Sequence, residues 1–148
     1  MLPSFHRRHW LRAGLGLAAA SCWPAARACE VQAEFLRVMH PWTRATAPGA
    51  EFGVLCMRID SVTADDRLIA VHTPVADGAE MGLSQRGVAV DLPIAAGSEI
   101  DMHDHGVHLR LAPLRQALHA GRSYPLQLTF ERSGVVHAVL SVDFERFS

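Results

Sequence analysis

The sequence predicts an all-β fold of a single domain, an antiparallel sandwich or barrel. Short apolar runs alternate with polar residues in the two-residue period of a strand, and turn residues recur about every 8 to 15 positions. No window keeps the spacing of an amphipathic helix over three turns. The 148 residues are 49% hydrophobic and 20% charged, which suits one globular domain and excludes a disordered chain.

The strand candidates follow one another along the chain without an internal repeat or a linker. In the third of them, Leu109 and Leu111 share one face, and His108 and Arg110 share the other. The predicted strands are Glu51–Ile59, Arg67–Val71, Val107–Leu111, Pro125–Glu131 and Val135–Phe144. The predicted core consists of their alternating apolar members, which are Leu55, Leu109, Leu111, Leu128, Phe130 and Leu140.

The first 28 residues have the pattern of a secretory signal peptide, namely a positive start, an apolar stretch and an A-x-A cleavage site. These parts are Arg7, Arg8 and Arg12, then residues 11–23, then Ala26-Arg27-Ala28. We therefore expect residues 1–28 to be removed and residues 29–148 to form the domain, either in the periplasm or secreted. The apolar stretch is too short to span a bilayer, so no stable membrane insertion is expected.

The charge of the predicted mature domain argues against nucleic-acid binding. All 14 basic residues are Arg, and four of them lie in the predicted signal peptide. The remaining ten face 15 Asp and Glu, a formal charge of −5. A nucleic-acid-binding surface needs an excess of positive charge to neutralise phosphates.

Two cysteines remain after the predicted cleavage, since Cys22 leaves with the signal peptide. In an oxidising compartment, an even pair favours a disulfide, here between Cys29 and Cys56. The alternatives are that both act as thiolate ligands of a soft metal, or that Cys29, which directly follows the cleavage site, is lipidated. The tripeptide before Cys29 departs from a lipoprotein box at Ala26 and Arg27.

No catalytic motif accompanies this fold. The sequence contains no G-x-S-x-G nucleophile elbow, no phosphate-binding glycine loop and no dinucleotide fingerprint. The carboxylates are scattered, and Asp65 and Asp66 precede a strand as turn residues commonly do. We therefore do not expect an enzyme.

One segment has the composition of a metal site. Met102, His103, His105 and His108 lie within seven residues, and Met81 is a further thioether beside a glycine. Imidazole suits copper and zinc, whereas a thioether selects Cu(I). The alternative is a solvated loop of polar histidines, because H-x-H-x-x-H has no fixed fourth ligand.

The sequence resembles the periplasmic PCuAC copper chaperones over nearly all of residues 30 to 144. The likeness begins at the family's opening W-x-R-A-T-x-P-G and continues through short matches in the same order. It rests on Trp42 to Gly49, Asp66-Arg67-Leu68, Pro74-Val75-Ala76, Ile94 to Gly97, His108-Leu109, Leu118, Gly121 and Leu126 to Glu131. The resemblance implies a cupredoxin-like, Greek-key β-sandwich that carries Cu(I) to cytochrome oxidase assembly without catalysis.

The departures from the family lie at its copper ligands. Gly82 stands where the first His should be, and the family's closing H-x-M reads His108-Leu109-Arg110. The ligand Met that should follow the first His has no match. Arg110 is a permanent cation that cannot ligate and that repels a metal ion, unless it pairs with a carboxylate such as Asp101 or Asp104.

The sequence therefore leaves two hypotheses. In the first, the domain binds or delivers copper, as Cu(I) or Cu(II) and less readily zinc, to a copper-receiving protein of oxidase assembly. Its site would be rebuilt around His108. The second is a metal-free binding or structural module that kept the scaffold and lost the site. The candidate ligands of the rebuilt site are His108, His105, His103, Met102 and Met81.

Overall fold

The computed structural model describes residues 30–82 and 87–143, so the predicted signal peptide lies outside the described residues. Within those ranges the chain forms ten β-strands and no α-helix. The strands are β1 (Glu30–Gln32), β2 (Arg37–Arg44), β3 (Gly53–Asp60), β4 (Asp66–His72), β5 (Ala79–Met81), β6 (Leu92–Ile94), β7 (Ile100–Asp101), β8 (Leu109–Leu111), β9 (Ser123–Phe130) and β10 (Gly134–Asp143).

The strands form one curled sheet in the order β5-β8-β3-β2-β10-β9-β4-β6, with β1 added to β2 and β7 added to β3. Every pairing is antiparallel except that of β2 with β10, where Trp42, Thr43 and Arg44 lie beside Ser141, Val142 and Asp143. The curl encloses the apolar side chains, so one sheet buries its core as two layers of a sandwich would. The all-β, single-domain prediction is confirmed.

The core contains the side chains that the alternation predicts. Leu55, Leu109, Leu111, Leu128 and Leu140 are fully buried, and Phe130 is 1% exposed. Since successive side chains of a strand point to opposite faces, Leu109 and Leu111 turn His108 and Arg110 towards the outer face of the sheet. The prediction for these six core residues is confirmed.

The sequence did not predict β2, and a β-bulge explains why. Met39 lies opposite Arg58, but Trp42 lies opposite Cys56, so β2 has one residue more than β3 between these two pairs. His40 in this bulge has a φ of 44°. An extra residue reverses which positions face the core, which hides the two-residue period on which strand prediction depends.

None of the residues in the two described ranges forms a helix long and apolar enough to cross a membrane.

Candidate functional site

Cross-strand pairing of β5 with β8 brings together three of the positions that the resemblance assigns to copper ligands. Glu80 lies directly opposite Arg110, and the Gly82 N–H donates to the His108 carbonyl at 3.0 Å. Gly82, His108 and Arg110 therefore lie side by side at the outer face. The three positions that the resemblance assigns to copper ligands are therefore neighbours in space, and they are occupied by a glycine, a histidine and an arginine.

The His108 side chain occupies the space that a side chain at position 82 would need. A Cβ on Gly82 would lie 2.1 Å from Cδ2 and 2.2 Å from Nε2 of His108. The ring is held by the Gly106 carbonyl oxygen, 2.8 Å from Nδ1, and the residue is only 9% exposed. Since a carbonyl only accepts, Nδ1 carries a proton, and in the neutral imidazole the lone pair is on Nε2.

The Arg110 side chain completes the same cluster. Its Nη2 donates to the Gly82 carbonyl oxygen at 2.6 Å, and its Nη1 donates to Glu80 Oε1 at 3.3 Å. The guanidinium carbon also lies 5.5 Å from the centre of the Phe52 ring. This largely buried cation therefore has a carboxylate, a carbonyl and an aromatic face around it. The predicted pairing of Arg110 with Asp101 or Asp104 is replaced by the pair with Glu80.

The loop between β7 and β8 directs two of the predicted histidines into solvent. The loop is closed by hydrogen bonds from the His103 N–H to the Val107 carbonyl and from the Gly106 N–H to the His103 carbonyl. His103 is exposed, and 90% of the His105 side chain is exposed. Asp104, between them, pairs with Arg44 Nη2 at 2.6 Å.

Both predicted thioether ligands lie on the core side of the sheet. Met102 is 2% exposed, and its N–H donates to the Met57 carbonyl at 2.9 Å. Met81 pairs with Leu109, so it shares the core face of Leu109 and packs against the core. The strand alternation that turns His108 outward turns Met81 inward. Met81 and Met102 therefore do not share the face of His108, and their binding of a metal ion stays a prediction.

The histidines do not form the predicted cluster either. In the part of the chain that the structure describes, no three His, Cys, Asp or Glu side chains gather into a group that could hold a metal ion. Of the five candidate ligands, His108 alone lies at a position that the resemblance assigns to copper. Copper binding at His108, His105 and His103 stays a prediction, and the two candidate thioethers, which Cu(I) favours, face the core.

A cavity of about 540 Å³ opens beside Arg110. Phe52 forms part of its apolar wall, and Glu51, Glu80 and Arg110 supply its charged groups. Sequence reasoning missed Glu80 and Phe52 because their contacts with Arg110 depend on strand pairing between distant segments. The signal available was Glu80 itself, a carboxylate within the stretch that aligns with the family's first ligand strand.

Cys56 is buried and carries a free thiol. Burial, assisted by the nearby Asp104 carboxylate, raises the pKa of this thiol to about 11. Its predicted disulfide partner, Cys29, lies outside the described residues, so the pairing stays a prediction. Glu30, the next residue, pairs with Met39 on the side of β2 opposite β3, which carries Cys56.

A family model for LpqE-like lipoproteins matches residues 36–142. The chain belongs to the LpqE-like family. This match spans β2 to β10 apart from the last residue of β10, and so includes the Gly82, His108 and Arg110 cluster of this LpqE-like chain. No curated protein sequence matches it significantly.

Solved structures show the fold of this LpqE-like chain. The apo PCuAC domain of PmoF1 is 23% identical and has a TM-score of 0.69, and the match covers 78% of this chain and 98% of that domain. The copper-bound PCuAC domain of PmoF2 is 22% identical with the same TM-score, over 78% of this chain and 97% of that one. The Cu(I) form of DR1885 from Deinococcus radiodurans is 15% identical and has a TM-score of 0.60, and the match covers 77% of this chain and 80% of that one. The predicted cupredoxin-like fold of PCuAC type is confirmed.

Proposed function

We propose that this protein is an exported, non-enzymatic binding module that has the PCuAC fold and works without a metal ion at the β5–β8 site. The observation that carries the proposal is the Arg110 guanidinium, which lies between the Glu80 carboxylate and the Gly82 carbonyl. A ligand of the module would bind in the adjoining cavity, where Phe52 is exposed.

Charge and space both favour this proposal over a copper site. Arg110 keeps its charge at any physiological pH, and two like charges a few ångströms apart repel strongly where water is partly excluded. The His108 imidazole itself fills the space over Gly82, so position 82 has no room for the side chain of a second ligand. A Cu(I) ion would therefore meet one imidazole and a fixed positive charge.

A second candidate function is copper binding at His108, followed by transfer to a receiving protein of oxidase assembly. It is favoured by the lone pair of His108 Nε2, which the hydrogen bond from Nδ1 to Gly106 leaves available. In this case the exposed His103 and His105 would have to move towards His108. Such an all-imidazole site would suit Cu(II) and zinc better than a thioether-rich site does.

Copper affinity of a small set of variants separates the two functions. The full chain is expressed, and the exported protein is purified and titrated with Cu(I) against a competing chelator and with Cu(II) directly. The metal-free proposal expects no Cu(I) binding above the chelator background, and the same result for His108→Ala. It expects little Cu(I) binding from Arg110→Met, because the other ligand positions stay unfilled.

The matched control is Arg115→Met, which removes an exposed Arg that pairs with Asp77 and does not line the cavity beside Arg110. Tight copper binding that His108→Ala abolishes, and that Arg115→Met leaves unchanged, would reject the metal-free proposal and support the copper carrier. A similar melting temperature in all variants shows that the fold is intact.

We also propose that Cys29 anchors the exported protein through a lipid. The matching family is described as one of lipoproteins, and Cys29 directly follows the predicted cleavage site. The free Cys56 thiol, buried on β3, is consistent with a Cys29 that is used for something other than a disulfide.

A further inference from the structure

Three polar side chains form a row across β4, β9 and β10, on the outer face of the sheet. His72 lies directly opposite Gln127, and Gln127 lies directly opposite His137. Residues that are directly opposite in neighbouring strands point to the same face, so the two imidazoles flank the amide of Gln127. Both histidines are exposed, and Gln127 is half-buried.

The end of β4 shapes a cavity at this row. Because β4 ends at His72, the residues of β9 before Gln127 have no β4 partner, and Pro74 turns the chain away. The resulting cavity of about 160 Å³ is lined by His72, Gln127 and His137, with Pro74 and Pro125 as walls. Proline rings are rigid, so they hold this opening in a fixed shape.

The row is free to bind a ligand. Among the described residues, no hydrogen bond or ion pair occupies the side chain of His72, Gln127 or His137. Other histidines differ, since His40 pairs with Asp143 and His108 with the Gly106 carbonyl. Two unpaired imidazoles with an amide oxygen between them make a nitrogen-rich donor set, which suits Cu²⁺ and Zn²⁺.

The spacing allows both imidazoles to bind one ion. Two strand spacings separate His72 from His137, which is about 9.5 Å at 4.7–4.9 Å per spacing. Imidazole nitrogens bind such ions at about 2.0–2.1 Å, so the two rings must lean inward over Gln127 until their nitrogens are about 4 Å apart. The long axis of an imidazole covers this distance by rotation about its side-chain bonds, and the exposed face leaves room for it.

We propose that His72, His137 and the Gln127 amide oxygen form a surface site for a divalent transition-metal ion, with Cu²⁺ bound more tightly than Zn²⁺. That order follows the general affinity series for nitrogen ligands. The site is distinct from the Arg110 cluster, because its cavity and the cavity beside Arg110 share no lining residue. It stands whether or not the β5–β8 site binds copper.

The experiment is a Cu²⁺ titration of the exported protein purified from cells that express the full chain, followed by electron paramagnetic resonance. The variants are His72→Ala, His137→Ala and Gln127→Glu, all made in a His108→Ala background so that the β5–β8 site does not contribute. The matched control is His119→Ala, an exposed histidine outside the cavity.

We expect one Cu²⁺ per chain, with a spectrum that shows coordinating nitrogens. His72→Ala and His137→Ala should each weaken binding by about tenfold or more, since even loss of a ligand's hydrogen-bonding partner costs that much. Gln127→Glu should strengthen binding by replacing an amide with a carboxylate, and His119→Ala should change nothing.

The proposal is overturned if the protein binds no Cu²⁺, or if only one of the two histidine variants loses affinity, because the ion would then not be shared. Equal Cu²⁺ affinity in the His108→Ala parent and in both variants that also carry His72→Ala or His137→Ala overturns it as well. All three substitutions lie on the exposed face, so the melting temperature should be unchanged and a loss of binding reports on the ligands.

Discussion

At the scale of single residues, Arg110 decides what the β5–β8 strand pair can do. The backbone around it has the PCuAC fold, and the Arg110 side chain is a cation that donates hydrogen bonds to Glu80 and to the Gly82 carbonyl. Removing only the charge leaves Gly82 without a side chain and His108 over it. This explains why we expect Arg110→Met to recover little copper affinity.

Asp66 has a structural role at the start of β4. Its Oδ1 accepts hydrogen bonds from the Arg67 and Arg132 N–H groups at 2.8 Å, and its Oδ2 accepts one from the Ser133 N–H at 3.0 Å. Burial alone would raise the pKa of this carboxyl, but these hydrogen bonds favour the ionised form and hold its pKa below the ordinary value. The carboxylate therefore fixes the turn between β9 and β10 against β4.

Asp66→Asn should destabilise the protein at neutral pH and reduce its sensitivity to acid. A carboxyl with a lowered folded-state pKa contributes stability above its unfolded pKa of about 3.9, and that contribution is lost as the pH falls. The amide N–H₂ of Asn cannot accept from backbone N–H groups, and loss of such buried hydrogen bonds costs about 1–3 kcal/mol. Denaturant unfolding at pH 7 and pH 3 measures the difference.

The control for this prediction is Asp77→Asn, which changes an exposed carboxylate whose ion pair with Arg115 is on the surface. Such pairs contribute little, so its unfolding midpoint should stay near that of the unmodified protein. A gap between Asp66→Asn and the unmodified protein that is as wide at pH 3 as at pH 7 would contradict the role of the ionised carboxylate.

At the scale of elements, the three-residue strand β8 contributes side chains both to the core and to the Arg110 cluster on the outer face. Leu109 and Leu111 are fully buried on one side, and Arg110 lies between them on the other. Leu111→Ala should lower the free energy of unfolding by roughly 2–5 kcal/mol, because it removes buried methyl groups and leaves a cavity. Thermal or denaturant unfolding tests this directly.

Ile69→Ala is the matched control, since Ile69 is a strand residue that is 44% exposed. It should cost much less than Leu111→Ala. If both variants lost the same free energy of unfolding, burial of Leu111 in the core would not explain the effect of its substitution, and the prediction would be wrong.

The sequence predicts the elements that keep a two-residue period and misses those that depend on pairing between distant segments. It places the core faces of β8 and β9 correctly, because their apolar and polar side chains alternate, and it places Leu140 of β10 in the core. It misses β2, where the bulge at His40 shifts the period. It groups Met81 with His108, although pairing with Leu109 turns Met81 to the core.

Candidate ligands in loops are the hardest to predict. His103, His105 and His108 are close in sequence, yet the turn closed by the His103 and Gly106 backbone groups leaves the first two exposed. Spacing alone does not fix the direction of a side chain outside a regular strand. By contrast, His72 and His137 are 65 positions apart and are brought near each other only by their common neighbour, Gln127.

At the scale of the whole molecule, the proposed lipid on Cys29 would determine where the protein is held. If Cys29 carries a lipid, Cys29→Ser should move the exported protein from the membrane fraction to the soluble fraction. Cell fractionation followed by mass spectrometry of the N-terminal peptide measures both location and modification. Cys56→Ser is the matched control, because Cys56 is a free thiol inside the sheet.

Cys56→Ser should leave the protein in the membrane fraction. A disulfide gives the opposite pattern, since unfolded exported protein would then show no titratable thiol and Cys29→Ser would leave its location unchanged. That result would restore the pairing of Cys29 with Cys56 and reject the lipid anchor.

The parallel pairing of β2 with β10 determines when the sheet of the whole molecule can close during folding. It joins Trp42–Arg44 to Ser141–Asp143, so the strand that connects the two halves of the sheet is the last of the ten described strands to be synthesised. Contacts between such distant segments form slowly, because the intervening chain must be ordered first. An incomplete chain can pair β2 with β3 but cannot join that pair to β9. If the protein is exported N-terminus first, the chain therefore stays incompletely folded, and able to pass through a translocation channel, until β10 is present. Its sheet would then close after the chain has crossed the membrane.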